Sequence, residues 1–132
     1  MRYLLDTNIC IYLINKRPAK VLDRFHRMEL GDIGVSSVTV AELAYGVAKS
    51  GSERNRAALE AFLLPLDIAD FDQKAAWKFG EIRSVLERAG KPIGPFDMQI
   101  AAHALALGCV VVTNKLREFQ RVPGLKTENW AK

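Results

Sequence analysis

Arg2-Tyr3-Leu4-Leu5-Asp6-Thr7-Asn8 joins a short apolar run to a polar turn, and it decides how the rest of the chain is read. A run this short, closed by turn-forming residues, predicts a strand over Arg2 to Leu5. Its counterpart lies near the other end. Cys109-Val110-Val111-Val112 is continuously apolar, the pattern of a strand buried on both faces of a parallel sheet, and it too runs into a polar turn, Thr113-Asn114.

Between these two strands the pattern alternates. Ile9 to Ile14 fits a helix or a continued apolar element. Pro18 opens a helix toward Met28, with Val21, Leu22 and Phe25 on one side. Asp32 to Ser36 predicts a second strand. A helix starts near Thr39, breaks over Ser50 to Arg54, resumes over Ala57 to Leu64 and stops at Pro65. Leu66 to Ile68 predicts a short strand. Asp70 to Ala89 carries the longest helical spacing, with Ala75, Phe79, Ile82 and Leu86 on one face and Gly90 at its end. After a loop over Pro92 to Pro95, a helix runs from about Phe96 to Leu107. Thr113 to Glu118 turns into a short helix. Strands separated by helices predict an α/β/α sandwich with a central, mostly parallel sheet, built as a single domain over residues 1–132. Such sheets bind ligands beyond the carboxyl ends of their strands, where both polar turns fall.

The composition suits one packed core: 132 residues, 49% hydrophobic and 26% charged. No repeat or low-complexity tract interrupts it. Asp6 and Asn8 break the apolar start and no small-residue cleavage site follows, so no signal peptide is expected, and no apolar run is long enough to span a membrane. Cys10 and Cys109 stand in apolar surroundings and are expected as reduced core residues of a cytoplasmic protein. The net charge of +4 biases the surface toward anionic partners.

Against this basic background, three acids stand at the ends of elements. Asp6 closes the first strand, either as a turn-forming residue or as a metal ligand. Glu42 follows Thr39 at the spacing of a helix capping box, a role compatible with also facing a shared site. Asp97 opens an apolar helix, where it complements the helix dipole or points toward the strand ends. Carboxylate oxygens suit Mg²⁺ or Mn²⁺, whereas zinc usually recruits His or Cys. His26 and His103 lack a ligand spacing and read as structural or surface residues.

With these segments in order, the chain resembles the VapC toxins of bacterial toxin–antitoxin pairs, within the PIN-domain nucleases. The matching stretches are LLDTNICIYLI, SSVTVAELAYG, IGPFDMQIAAHALALG and VVVTNKLREFQRVPGL. The resemblance spans essentially the whole chain and is closest to the enterobacterial subgroup that cuts initiator transfer RNA in its anticodon stem-loop. It implies a PIN-like fold and a Mg²⁺- or Mn²⁺-dependent endoribonuclease that inhibits translation and leaves a 5′-phosphate and a 3′-hydroxyl. It makes Asp6, Glu42 and Asp97 the metal-binding acids, with Thr113 as a supporting hydroxyl. It also implies homodimerisation and a VapB-type antitoxin whose tail lies in an apolar and acidic groove and brings a basic side chain to the metal site. Ile9 to Ile14, Tyr45, Phe62 and Leu63 would be contact surface or core.

One position departs from the family. Where Asp or Asn is frequent two residues after the Thr, this chain has Lys115. A charged lysine cannot ligate a metal. It can instead meet a phosphate or weaken metal binding, and Asn114 and Glu118 are auxiliary residues beside it. Arg2, Lys91, Arg117 and Arg121 are candidates for contacts to RNA phosphates. The altered position keeps an alternative open, a catalytically weakened PIN protein that still binds antitoxin and RNA. Other α/β classes fit worse. A haloacid-dehalogenase phosphatase would have a second Asp at position 8, occupied here by Asn8. A receiver domain would need paired acids after the first strand.

Overall fold

The computed structural model describes all residues, 1–132. Five strands form one sheet: β1 (Tyr3–Leu5), β2 (Ile33–Ser36), β3 (Asp67–Ala69), β4 (Val110–Val112) and β5 (Thr127–Glu128). Their spatial order is β3-β2-β1-β4-β5. Every pairing is parallel, so the sheet is wholly and not just mostly parallel. The seven α-helices are α1 (Thr7–Ile14), α2 (Ala19–Arg27), α3 (Ser37–Ser50), α4 (Glu53–Leu63), α5 (Gln73–Arg88), α6 (Pro95–Leu107) and α7 (Leu116–Phe119).

Alternation along the strands divides the interior into two cores. Tyr3, Leu5, Ile33, Val35 and Val112 face one side and pack with Cys10, Leu13, Val21, Leu43, Leu59 and Trp130. Leu4 and Val111 face the other side and pack with Ile82, Leu86, Ile100, Ala101 and Phe119. Helices therefore cover both faces, as short all-apolar parallel strands require. Ile9 to Ile14 is helical, settling that ambiguity. Within it Ile9, Cys10 and Leu13 are core, whereas Ile11 is exposed. Phe62 and Leu63 lie against the first core, and Tyr45 is exposed. Both cysteines are buried and free, as expected. No helix is long and apolar enough to cross a membrane.

Several elements differ from the sequence reading: α4 begins at Glu53, inside the break expected over Ser50 to Arg54 and ahead of Ala57, because the Ser52 hydroxyl caps it through the Asn55 amide. α3 begins at Ser37, and Ser36 caps it by accepting a hydrogen bond from the Val38 amide. Strand β2 runs into this helix without a loop, so Thr39 lies inside the first turn and forms no capping box with Glu42. α5 begins at Gln73, because the Asp72 carboxylate caps it through the Ala75 amide. β5 had no counterpart in the reading of the sequence.

The strand order reverses at β1. The chain builds outward through β2 and β3 on one side, then returns to lay β4 and β5 on the other. β1 and β4 thus meet at the switch point, where parallel α/β sheets open a crevice at the carboxyl ends of their strands. Asp6 follows β1 and Thr113 follows β4.

Candidate functional site

Asp6 is held by the backbone on both sides of this crevice. Its amide donates to the Val112 carbonyl at 3.0 Å, which ties the end of β1 to β4. Its Oδ1 accepts from the Ile9 amide at 2.9 Å and caps α1. The side chain is almost wholly buried, at 1% exposure. Burial pushes its carboxyl up from 3.8 to about 6. The Thr113 side chain and the Ile9 amide oppose that shift, the Asp97 charge adds to it, and the Lys115 ammonium reduces it.

Asp97 stands in the first turn of α6, behind Gly94 at the cap and Pro95 at the first helical position. Its Oδ2 pairs with Lys115 Nζ at 3.3 Å. Lys115 is oriented from below, since its amide donates to Thr113 Oγ1 at 2.8 Å. Asp6, Asp97, Thr113 and Lys115 therefore form one electrostatic group drawn from β1, α6 and the turn after β4.

Glu42 reaches the crevice from α3. The Thr7 hydroxyl donates to its Oε1 at 2.7 Å, and Thr7 Oγ1 lies 3.3 Å from Thr39 Oγ1. Thr7 adjoins Asp6, so the third acid sits beside the pair but is anchored to a hydroxyl. No three acidic, His or Cys side chains are drawn close enough to cage an ion. The three-acid cluster expected from the sequence is looser than that expectation: two acids share the Lys115 ammonium, and Glu42 stands off on Thr7.

The donor set still suits a hard divalent cation. It offers carboxylate oxygens only, one of them destabilised by burial, and it already draws a positive charge into its midst. His103 does not belong to it. Its Nδ1 lies 2.8 Å from Ser36 Oγ, its ring meets Phe71 edge-on, and burial lowers its pKa below 6.5, consistent with a structural role.

The auxiliary and basic residues differ in what they contact. The Asn114 side-chain amide donates to the Tyr12 hydroxyl at 2.6 Å, which commits it to α1, and its Oδ1 is buried without a partner. Glu118 lies in α7 just beyond Lys115 and makes no ion pair. Arg121 donates to the Pro92 carbonyl at 2.9 Å and so braces the loop that leads to Asp97. Lys91 and Arg117 are exposed. Arg2 is the misplaced candidate. It precedes β1, whereas Asp6 follows it, so the two are about 13 Å apart along the strand direction. Its guanidinium lies over the Tyr3 ring instead.

Sequence reasoning missed Thr7, whose hydroxyl holds Glu42. Its place in the Asp6-Thr7-Asn8 turn was the available signal. The resemblance implied an apolar and acidic groove without placing its walls; an open cavity of about 440 Å³ leads away from Thr7 and Glu42 between α1, α3 and α4, with Ile11, Ile14, Val47 and Leu59 among its apolar walls.

The PIN-domain pattern matches residues 3–125. The tRNA(fMet)-specific endonuclease VapC of Shigella flexneri is 48% identical over 132 residues, covering 99% of both chains. This chain is a member of the VapC family of PIN-domain nucleases. A second VapC, the ribonuclease VapC2 of Haemophilus influenzae Rd, is 51% identical over 131 residues, covering 98% of each chain. The DNA-bound VapBC crystal structure from Salmonella typhimurium superimposes with a TM-score of 0.93 at 45% identity, over 98% of each chain. The VapC fold is thus shared over nearly the whole chain.

Proposed function

We propose that this chain is the toxin of a toxin–antitoxin pair and an endoribonuclease that cuts initiator transfer RNA in its anticodon stem-loop, inhibiting translation in the cytoplasm. The observation that carries the reading is the buried Asp6 carboxylate beside Asp97 at the sheet's switch point, in a chain 48% identical to a tRNA(fMet)-specific endonuclease. Asp6, Asp97 and Glu42 would hold one or two Mg²⁺ or Mn²⁺ ions. When bound, such an ion activates water and offsets charge on the scissile phosphate. The chain's own residues set up that chemistry. Asp6 is fixed by the Ile9 amide, Thr113 supports it from β4, and Thr7 orients Glu42. Lys91 and Arg117 are exposed cations available to RNA phosphates, which add affinity with little sequence preference.

The test is total bacterial RNA incubated with purified protein in Mg²⁺ or in chelator, with cut ends mapped by sequencing. The expected result is one dominant Mg²⁺-dependent cut in the anticodon stem-loop of initiator transfer RNA. Dispersed or chelator-resistant cuts contradict the reading.

The partner in this reading is a VapB-type antitoxin. The groove between α1, α3 and α4 supports it: an apolar segment fits against Ile11, Ile14 and Leu59, and a basic side chain at its end meets Glu42. Exposed Tyr45 offers further contact surface, to antitoxin or to a second copy in a homodimer. Gly46 lines the groove in mid-α3, and a Cβ built there meets nothing within 4 Å. Gly46→Leu should therefore leave the fold intact or raise its stability by up to about 1 kcal/mol through helix propensity. It should weaken antitoxin binding at least about tenfold by filling the groove. Calorimetric titration with the antitoxin, beside a thermal melt, checks both.

A further inference from the structure

Lys115 is the one cation ion-paired to an acid of this site, and it stands where the VapC resemblance leads one to expect an acid or an amide. Two features make the pairing a built arrangement. The Lys115 amide donates to Thr113 Oγ1 at 2.8 Å, which anchors the residue at the end of β4. Asp97 is set at the start of α6, and its side chain is only 19% exposed. Each end is thus fixed by backbone, and the flexible lysine stem closes the gap to 3.3 Å. Without the ammonium, the Asp97 charge would stand uncompensated near the buried Asp6 carboxyl.

We propose that Lys115 is an internal counter-ion of the acid site, which competes with the divalent ion for Asp97. This inference rests on the metal-nuclease reading above and deepens it. In the free protein the ammonium stabilises the acids without metal. An arriving divalent ion must displace it from Asp97 or bind beside a like charge. Either route weakens metal affinity relative to a site with a neutral residue at position 115. A unit charge and a double charge about 6 Å apart in a near-aqueous dielectric repel enough to lower affinity about tenfold.

The experiment measures Mn²⁺ binding to metal-free protein by electron paramagnetic resonance, without RNA. It compares wild type with Lys115→Met, Lys115→Gln, Lys115→Arg and Asp97→Asn, each checked for folding by circular dichroism. The Lys115 side chain is 40% exposed, so its replacement removes little core. The expected result is that both neutral variants bind Mn²⁺ about tenfold more tightly than wild type. Lys115→Arg, which keeps the charge, should stay close to wild type, and Asp97→Asn should bind more weakly. Equal or weaker binding by both neutral variants, with wild type binding normally, overturns the counter-ion role and leaves the nuclease reading standing. Tight binding by Lys115→Arg also overturns it, because charge would then not be the cause. If neither wild type nor the neutral variants bind Mn²⁺, the metal-nuclease reading falls and takes this inference with it.

Discussion

Asp6→Asn is expected to abolish RNA cleavage and, at the same time, to stabilise the metal-free protein. The two effects have one cause. The Asp6 carboxyl is buried and its pKa is raised from 3.8 to about 6, so holding it ionised opposes folding. The sign follows from linkage. Asp6 binds its proton more tightly in the folded state, so its contribution is most favourable below 3.8 and is lost as pH rises through about 6. At neutral pH the shift corresponds to about 3 kcal/mol of destabilisation. Asn at this position keeps an oxygen to accept the Ile9 amide and carries no charge. The variant should therefore melt about 10 °C higher than wild type at pH 7 in chelator. That gap should close as pH falls toward 4. Burial lowers the pKa of His103, so its protonation destabilises both proteins as pH falls below about 6.5, and the comparison cancels it. Cleavage should fall at least about a hundredfold, since even residues that merely orient metal ligands cost tenfold to a hundredfold when changed. Thermal melts across pH, in chelator and in Mg²⁺, check the first half. Equal melting temperatures at pH 7 would contradict the buried-charge account.

Trp130→Ala should cost about 3–5 kcal/mol, the range for truncating a large buried aromatic. Trp130 is 1% exposed and packs edge-on against Tyr3, with ring centroids 5.6 Å apart. Its Nε1 donates to Glu128 Oε1 at 3.1 Å, and the same oxygen pairs with Arg24 at 3.0 Å. The Arg24 guanidinium also lies 5.7 Å over the indole ring. The indole therefore fastens the last strand to α2 and to β1. Arg24 and Glu128 are substantially exposed, so their ion pair adds little by itself, and most of the loss comes from the emptied volume. Trp130→Phe keeps an aromatic ring in the core and loses only the indole donor, so it should recover most of the stability. Urea unfolding reads both variants as midpoint shifts at constant slope. A shift of less than about 1 kcal/mol for the alanine variant would show that the tail does not hold the core.

This tail also marks where the sequence ceased to be legible. β1 and β4 were readable because each is an apolar run ending in a polar turn. β5 is two half-buried residues, Thr127 and Glu128, with no apolar run to mark them. It exists because β4 presents a free edge, and that is a property of the assembled sheet. The start of α3 misled for a related reason. Thr39 and Glu42 have capping-box spacing, but β2 passes straight into the helix, so Ser36 is the cap and both side chains are free to meet Thr7.

The site was legible in its parts more than in its arrangement. Each acid marks the end of an element, which local pattern can show. The Lys115–Asp97 pair joins residues eighteen apart across two elements, and only the strand order brings them together. Strand direction likewise places Arg2, a candidate for phosphate contact, at the amino end of β1, opposite the crevice.

The most direct measurement is cleavage of purified initiator transfer RNA by wild type and Asp6→Asn, side by side, in Mg²⁺, Mn²⁺ and chelator. The expected result is cutting by wild type with either metal, none in chelator, and none by the folded variant. Cutting in chelator, or undiminished cutting by Asp6→Asn, would contradict a metal nuclease built on Asp6.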